Sequence, residues 1–285
     1  MLARMRILHM AVITTLALAA GCSTTNPRTA LNAPIAIPAT DAAIASLGDV
    51  DPPSTKDEAA PADTMLVTLQ RVAPAADPGV LALALAARQC AVASGEVDEV
   101  SRLAVIDYSL PSTDRRLWVF DMRDGSLLHH EYVAHGQGSG ENYATAFSNK
   151  DGSHQTSLGL FRTAETYIGG NGYSLRLDGL ERGVNDNARS RAIVIHGAAY
   201  VDPVRAAKQG RLGRSYGCPA LRQQVARVVI DALKDRNLLF SYANDATWLQ
   251  RSHDFACSGR SASEILADAR LPRTDAAGRY STAMR

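Results

Sequence analysis

The chain has 285 residues, enough for one large or two modest domains. Its hydrophobic fraction of 46% is that of an ordinary globular protein. Thirty basic against 29 acidic side chains leave a formal charge of +1. This balance provides no strong field for nucleic acid or an anionic membrane surface, so we expect no nucleic-acid partner.

The first 21 residues are typical of an export signal. Arg4 and Arg6 precede the apolar run ILHMAVITTLALAA, which is too short to span a bilayer. The sequence AAGCS follows and resembles the lipobox of bacterial lipoproteins, whose cysteine is lipidated after cleavage. We therefore predict a lipoprotein signal peptide over residues 1–21 and lipidation of Cys22; a plain secretory signal is the alternative. Ser23 indicates, by the same resemblance, a periplasmic protein anchored to the outer membrane.

Residues 22–76 are predicted to be a disordered tether between the lipid and a folded domain. Eight of the 12 prolines fall between Pro27 and Pro78, among many alanines, threonines and aspartates. The folded domain is predicted to cover residues 77–257. The polar stretch 258–285 is predicted to be a flexible tail.

The pattern within 77–257 indicates a mainly β domain with a few helices. Asp77-Pro78 is a helix start, with a capping side chain and a proline at the first helical position. Seven apolar runs read as strands: LAVIDYSL, RLWVFDM, SLLHHEYVAHG, SLGLFRTAETYI, YSLRLDGL, AIVIHGAAYV and LLFSYA. The spacing in PALRQQVARVVIDALKD predicts a helix over 219–235. Its apolar face would be Leu221, Val225, Val228, Val229, Ala232 and Leu233.

The cysteine count leaves one thiol unpaired. Without Cys22, the chain has Cys90, Cys218 and Cys257. In an oxidising compartment Cys90 and Cys257 could form a disulfide, which would leave Cys218 as a free thiol.

The setting of Cys218 favours a nucleophile over a packing residue. Pro219 fits the first position of the predicted helix, which would place the sulfur at a helix N-terminus and lower its pKa. Gly217 allows close approach of the backbone to a ligand. The amides of Tyr216, Gly217 and Cys218 could form an oxyanion hole.

His196 ends an apolar run, Ala192 to Ile195, that reads as a buried strand. An imidazole held there could take a thiol proton and return it to a leaving amine. No carboxylate follows at short spacing, so the carbonyl of Gly197 is a candidate to orient the ring.

The segments HGA and GRSYGCPA, whose His196 and Cys218 have 21 residues between them, resemble the active-site region of murein L,D-transpeptidases, the YkuD-like group. VAHGQGSG, FSNKDGSHQTSLGLFRTAETY and GYSLRLDGLE resemble the same family, and the similarity runs from about Leu103 to Tyr242. The resemblance implies a β-sandwich or barrel-like catalytic domain. It also implies an acyl-thioenzyme formed on a peptidoglycan tetrapeptide stem, with loss of D-alanine.

Carried over by position, the resemblance makes Cys218 the nucleophile and His196 its base. The carbonyl of Gly197 would orient the imidazole, and the amides of Gly217 and Cys218 would bind the oxyanion. It implies no cofactor.

Two departures from the family pattern concern substrate contacts. Tyr216 stands where many members have a histidine, and Ala220 where many have an arginine. The remaining candidates for binding the stem peptide are Arg214, Ser215, Tyr216 and His135, with Arg222 and Ser139 as further possibilities. For the arginines, the alternative is a solvated surface charge; for His135 and Ser139, it is a glycine-rich turn.

Three other functions stay open at this point. The same cysteine and histidine could hydrolyse a stem, as an L,D-carboxypeptidase, or act on a link between murein and a protein. The second alternative function is zinc chemistry. The histidines show no metal-binding spacing, however, so we predict no metal. The third is a non-catalytic lipoprotein that binds the cell wall.

Overall fold

The computed structural model describes the fold of residues 61–271. The predicted signal peptide, Cys22 and residues 22–60 of the predicted tether lie outside these described residues, as do residues 272–285 of the predicted tail. In the part that is described, no helix has both the length and the apolar character needed to cross a bilayer.

The described residues form one mixed sheet of nine strands, in the order β3-β2-β1-β9-β5-β6-β7-β8-β4. The strands are β1 (Arg102–Asp107), β2 (Leu117–Asp121), β3 (Ser126–Glu131), β4 (Val133–Ala134), β5 (Gly159–Gly169), β6 (Gly172–Gly179), β7 (Val194–Ala198), β8 (Ala220–Arg222) and β9 (Leu238–Tyr242). The seven apolar runs predicted as strands overlap every one of these except β8. Those predictions are confirmed.

The two edge strands of the sheet are neighbours in the sequence. β3 and β4 are separated by Tyr132 alone, yet they lie at opposite ends of the strand order. Because a residue spans at most about 3.6 Å, the two edges must lie side by side. Arg222 of β8 joins them further by binding both carboxylate oxygens of Glu131, with Nη2–O distances of 2.8 Å. The sheet therefore curves into a nearly closed barrel, and the mainly β, barrel-like fold is confirmed.

Six helices cover the sheet among the described residues. They are α1 (Pro61–Val72), α2 (Pro78–Ala93), α3 (Pro203–Gln209), α4 (Gln223–Leu233), α5 (Ala246–Arg251) and α6 (Ala262–Arg270). α2 packs against β1, β5 and β9, while α4 packs against β1, β6, β7 and β8. Every residue of β9 is buried, as expected for a strand in the middle of the sheet.

The predicted start of the first long helix is confirmed. The Asp77 side chain accepts hydrogen bonds from the amides of Gly79 and Val80 at 2.8 and 3.1 Å, and Pro78 begins α2. The helix is largely buried, so its stability comes from packing as well as from its cap.

Two predicted disordered segments contain helices instead. α1 falls within the predicted tether 22–76, and α6 within the predicted tail 258–285; for these helices both predictions are wrong. Leu69 of α1 and Leu266 of α6 are buried, and both helices pack against α2. Short helices such as these are stabilised mainly by packing against the rest of the fold. The amino-acid composition of the surrounding proline-rich or polar segment does not reveal that packing.

The prediction of a helix over 219–235 is also wrong in two respects, the residue at which the helix begins and the face that it buries. Residues Ala220–Arg222 form β8 between β7 and β4, and α4 begins only at Gln223. Its buried residues are Ala226, Val229, Ile230 and Leu233, a regular helical spacing. Val228, predicted to face the core, is 53% exposed.

Candidate active site

Cys218 lies at the end of a tight loop, Ser215–Cys218, that leads into β8. Gly217 has a φ of +118°, a region that side chains rarely adopt. A Cβ at this position would lie 2.9 Å from the carbonyl oxygen of Gln155. Gly217 is therefore required by the conformation and packing of the loop.

The sulfur of Cys218 is held against the first residues of β7. The amide of Val194 donates a hydrogen bond to Sγ at 3.4 Å, and Sγ is 3.6 Å from the carbonyl oxygen of Ala192. Ala192 has a φ of +53°, a strained conformation for a residue with a side chain. Cys218 is partly buried and is the free cysteine among the described residues. The thiol can donate a hydrogen bond to the Ala192 carbonyl oxygen, whereas the hydrogen bond from the Val194 amide favours the thiolate.

Burial raises the pKa of the Cys218 thiol, against the opposing effects of the Val194 amide and the positive charge of Arg191. The expectation that a helix N-terminus lowers this pKa is wrong, because Pro219 precedes a strand and α4 begins at Gln223. The resting side chain is therefore a neutral thiol that needs a base to remove its proton.

His196 is the third residue of β7 and is 3% exposed. Its Nδ1 lies 3.1 Å from the carbonyl oxygen of Gly197. Because a carbonyl can only accept, Nδ1 carries the hydrogen and Nε2 is left as the acceptor. Burial lowers the pKa of His196, so the imidazole is neutral at pH 7. The expected contact with Gly197 is present, whereas the catalytic roles of both residues stay predictions.

Strand register places Cys218 and His196 near each other in the sheet. β7 and β8 run parallel, with His196 opposite Ala220, two residues after Cys218. Val194, whose amide binds Sγ, is two residues before His196 on β7. Side chains two residues apart on a strand share a face and are roughly 7 Å apart. The thiol and the imidazole therefore belong to one end of the β7–β8 pair.

The amide predicted to bind an oxyanion at Gly217 is already occupied. It donates to Ser215 Oγ at 3.1 Å, and the same hydroxyl donates to the carbonyl oxygen of Cys218 at 2.6 Å. The amides of Tyr216 and Cys218, by contrast, have no hydrogen-bond partner within the described residues. The oxyanion assignment for the Gly217 amide is therefore corrected. Ser215, predicted to bind substrate, is 5% exposed and instead fixes the loop.

His135, predicted to bind substrate, is fully buried and does not line a cleft. Arg116 Nη2 is 2.8 Å from its Nδ1, and its Nε2 lies 3.3 Å from the carbonyl oxygen of Gly140. Burial and the charge of Arg116 lower the pKa of His135 to about 4, so it is a neutral core residue. Ser139 is likewise buried, and its hydroxyl accepts from the Thr156 amide. The substrate-binding prediction is wrong for His135.

The two candidate arginines already have carboxylate partners. Arg214 Nη1 is 2.8 Å from Glu141 Oε1 and donates to the carbonyl oxygen of Gly140 at 2.8 Å. Arg222 is the bidentate partner of Glu131, so it holds the barrel closed. Arg214 directly precedes the Ser215–Cys218 loop, and its side chain is 20% exposed.

Tyr216 is 69% exposed, beside Cys218 in the loop. Its ring stacks on His154, with 4.4 Å between ring centroids. The histidine that many family members have at position 216 is absent, but His154 brings an imidazole to the same place from another segment. Sequence spacing gave no sign of this, because 62 positions separate the two residues.

Arg191 and Thr156 were also missed. Arg191 lies three residues before β7 and acts electrostatically on Cys218. Thr156 Oγ1 accepts from the Gly136 amide at 2.9 Å and lies 3.4 Å from the carbonyl oxygen of Gly217. Thr156 lies inside the family-like segment FSNKDGSHQTSLGLFRTAETY and Arg191 just before the apolar run of β7, but nothing in either stretch marks the residue as part of the site.

The described residues contain no group of three or more histidine, cysteine, aspartate or glutamate side chains placed to hold a metal ion. The absence of a metal stays a prediction.

The described residues thus form a barrel-like β domain in which a free thiol lies just before β8, the strand paired with the one that carries His196. The family model of the L,D-transpeptidase catalytic domain matches residues 73–242, which is more than half of the chain. The chain therefore belongs to the L,D-transpeptidase catalytic-domain family.

Solved structures of L,D-transpeptidases are similar to parts of the chain. The enzyme from Mycobacterium smegmatis has 16% identity and a TM-score of 0.31, covering 50% of this chain and 59% of its own. L,D-transpeptidase 1 from Mycobacterium tuberculosis has 14% identity and a TM-score of 0.29, covering 50% and 62%. The enzyme from Stackebrandtia nassauensis has 14% identity and a TM-score of 0.31, covering 57% and 68%. No curated protein matches the chain. The family assignment rests on the family model.

Proposed function

We propose that the protein is a cysteine-dependent peptidoglycan L,D-transpeptidase that acts on tetrapeptide stems through an acyl-thioenzyme. One observation carries this proposal. The free thiol of Cys218 is bound by the Val194 amide on the strand that presents His196, whose Nδ1 is held by the Gly197 carbonyl. That arrangement leaves Nε2 of the imidazole available to a thiol proton.

In the first half-reaction, His196 Nε2 accepts the proton of Cys218. The sulfur attacks the carbonyl carbon at the L-centre of diaminopimelate, and the carbonyl oxygen becomes an oxyanion. The amides of Tyr216 and Cys218 would stabilise that oxyanion. The bond to D-alanine then breaks, His196 returns its proton to the leaving amine, and a thioester on Cys218 remains.

In the second half-reaction, the amine of another stem attacks the thioester and forms a 3→3 cross-link, which releases the free thiol. Water in place of the amine would give an L,D-carboxypeptidase. An acyl group taken from a murein–protein link would give a hydrolase of that link. All three start from the same thioester, so the products separate them.

Substrate contacts are proposed for Tyr216 and Arg214. The Tyr216 ring, supported by His154, offers an exposed flat surface beside the sulfur. Arg214 lies at the same loop and forms an ion pair with Glu141. A stem carboxylate would therefore have to compete with the Glu141 carboxylate for this guanidinium. A non-catalytic protein that binds the cell wall would use the same contacts with the stem peptide, but no acylation of the Cys218 thiol would follow.

The acyl-thioenzyme is tested by mass spectrometry of the full chain after incubation with purified tetrapeptide muropeptides. We expect an adduct on Cys218 equal to the stem minus alanine, with free D-alanine in solution. Cys218→Ala should give no adduct and no D-alanine. An unmodified thiol, under conditions that acylate a known L,D-transpeptidase, would contradict the proposal and support the wall-binding alternative.

Lipid anchoring at Cys22 and a periplasmic, outer-membrane location are part of the same proposal. They rest on the AAGCS motif after the apolar run. The intact mass of protein extracted from membranes should show residues 1–21 removed and acyl chains on Cys22, and Cys22→Ala should abolish both. An unacylated mature protein in the soluble fraction would indicate a plain secretory signal.

A further inference from the structure

Arg191 is a half-buried arginine that holds a whole segment of chain. Its Nη1 donates to the Ser148 carbonyl oxygen at 2.7 Å and to Ser157 Oγ at 2.6 Å. Its Nη2 donates to Ser153 Oγ at 3.2 Å and to the Gln155 carbonyl oxygen at 2.7 Å. All four acceptors are neutral. The guanidinium therefore organises the 148–157 segment without an ion pair to neutralise it.

The same guanidinium faces the loop that carries Cys218. Its Nη2 lies 3.5 Å from the position that a Cβ on Gly217 would occupy. The Gln155 carbonyl oxygen, which binds Nη2, lies 2.9 Å from that same position. The backbone of Arg191 continues into Ala192, whose carbonyl oxygen is 3.6 Å from Sγ. Arg191 thus contacts the cysteine loop through the 148–157 segment and through its own chain.

Arg191 is the charged residue that acts electrostatically on the sulfur. Arg116, a second buried cation, lies over the Tyr108 ring, with 5.0 Å between its Cζ and the ring centroid. The positive charge of Arg191 lowers the pKa of Cys218. The other titratable groups that face this site are His196, Tyr108 and Tyr200. Burial lowers the pKa of His196 and raises the pKa of both tyrosines, so all three are neutral at pH 7. Asp151 acts on Arg191 at longer range.

We propose that Arg191 is a positioning residue that holds the 148–157 segment against the cysteine loop and stabilises the Cys218 thiolate. The inference rests on the proposed function, because it concerns the step in which the thiol proton moves from Sγ to Nε2 of His196. That transfer creates a thiolate and an imidazolium, and Arg191 supplies a second, fixed positive charge that acts on the sulfur. A neutral side chain at this position leaves the thiolate paired with the imidazolium alone.

The test measures alkylation of Cys218 by iodoacetamide as a function of pH, without any muropeptide. The full chain is used, and peptide mapping by mass spectrometry follows Cys218 separately from other thiols. In Arg191→Gln we expect the midpoint of the rate–pH curve to move up by about one unit, and alkylation at pH 7 to slow roughly tenfold. Arg191→Lys keeps the charge, so its midpoint should stay near that of the wild type.

Arg189→Gln is the matched control. Arg189 is two residues away, its guanidinium is 47% exposed, and it is paired with Glu165 and Asp178 on the surface. Its replacement should leave the alkylation midpoint unchanged.

An unchanged midpoint in a folded Arg191→Gln protein would overturn the proposal. So would a raised midpoint in a folded Arg191→Lys protein. Failure of the proposed function looks different: the wild type would then alkylate with the expected Arg191 dependence and yet form no adduct with tetrapeptide muropeptides.

Discussion

At the scale of single residues, the candidate site depends on backbone groups as much as on side chains. The Gly197 carbonyl selects the tautomer of His196, and the Val194 amide binds the sulfur. The Ser215 hydroxyl ties the Gly217 amide to the Cys218 carbonyl. Substitutions that leave the thiol and the imidazole unchanged should therefore still impair acylation if they move these backbone groups.

Gly217→Ala tests this dependence. A methyl group would meet the Gln155 carbonyl at 2.9 Å, on a backbone with φ of +118°. We expect a destabilisation of about 1–3 kcal/mol from the strained backbone, and at least a tenfold loss of acylation rate because the sulfur and the loop amides shift. Thermal unfolding and single-turnover adduct formation measure the two effects.

Gly170→Ala is its control, since an added Cβ there meets nothing within 4 Å. That variant should keep wild-type stability within about 0.5 kcal/mol and the wild-type acylation rate. If Gly217→Ala acylated as fast as Gly170→Ala, the geometry of the cysteine loop would not matter for the chemistry.

The acid limb of the pH profile tests His196. The base must be neutral to accept the thiol proton, and burial lowers its pKa below the ordinary value of 6.5. A lowered pKa keeps the imidazole neutral to more acidic pH, so the midpoint of the acid limb of the acylation rate should lie below pH 6.5. His196→Gln should lose roughly 10² to 10⁴ in rate and lose this limb. A wild-type midpoint above pH 6.5, or a flat profile down to pH 4, would contradict the assignment.

At the scale of elements, α4 supports the strand that carries His196. It packs on β7 and β8, and Ala226 lies directly against Gly197, where an added Cβ would come within 2.9 Å of the alanine methyl. The face of α4 that is buried is therefore part of the support for the site.

Val229→Ala and Val228→Ala form a matched pair on this helix. Val229 is fully buried and Val228 is 53% exposed, although the spacing in the sequence predicted both to face the core. We expect Val229→Ala to lower the free energy of unfolding by about 2 kcal/mol and Val228→Ala to change it by less than about 0.5 kcal/mol. Equal effects in denaturant unfolding would mean that the helix is rotated from the orientation described.

The elements also show which local signals are reliable. The strands β1, β2 and β9 were predictable because their apolar runs are buried on both faces. The helix α2 was predictable because Asp77-Pro78 is a strong helix start. Residues Ala220–Arg222 continue a helical pattern in the sequence, yet they complete the sheet between β7 and β4. These residues form hydrogen bonds with strands that are distant in sequence, and such pairing cannot be inferred from the local helix propensity.

At the scale of the whole molecule, the ends of the folded domain are joined. The Cys90–Cys257 disulfide links α2 to the segment before α6 across 167 residues of chain. Arg270 of α6 contacts Asp77, the cap of α2, at 3.0 Å. The helices outside the barrel are thus tied into one unit with it.

Replacing both cysteines, Cys90→Ser with Cys257→Ser, should destabilise the fold strongly. For a loop of 167 residues, the chain-entropy model gives a loss of about 5 kcal/mol. Thermal unfolding should show the same loss when the wild type is reduced. A Cys218→Ala background, which should unfold like the wild type, prevents exchange with the free thiol. A melting temperature unaffected by reduction would mean that the disulfide contributes nothing to stability.

The sequence alone determined the main strands, the start of α2, and the loop with glycine and cysteine next to a strand-borne histidine. These features depend on residues close together along the chain, where burial patterns and backbone requirements are visible. Only the tertiary structure decided that His135 is a core residue, that His154 supports Tyr216, and that Arg191 faces Cys218. Those contacts join segments that are distant in sequence, and they form because the pairing of strands such as β7 with β8 brings those segments together.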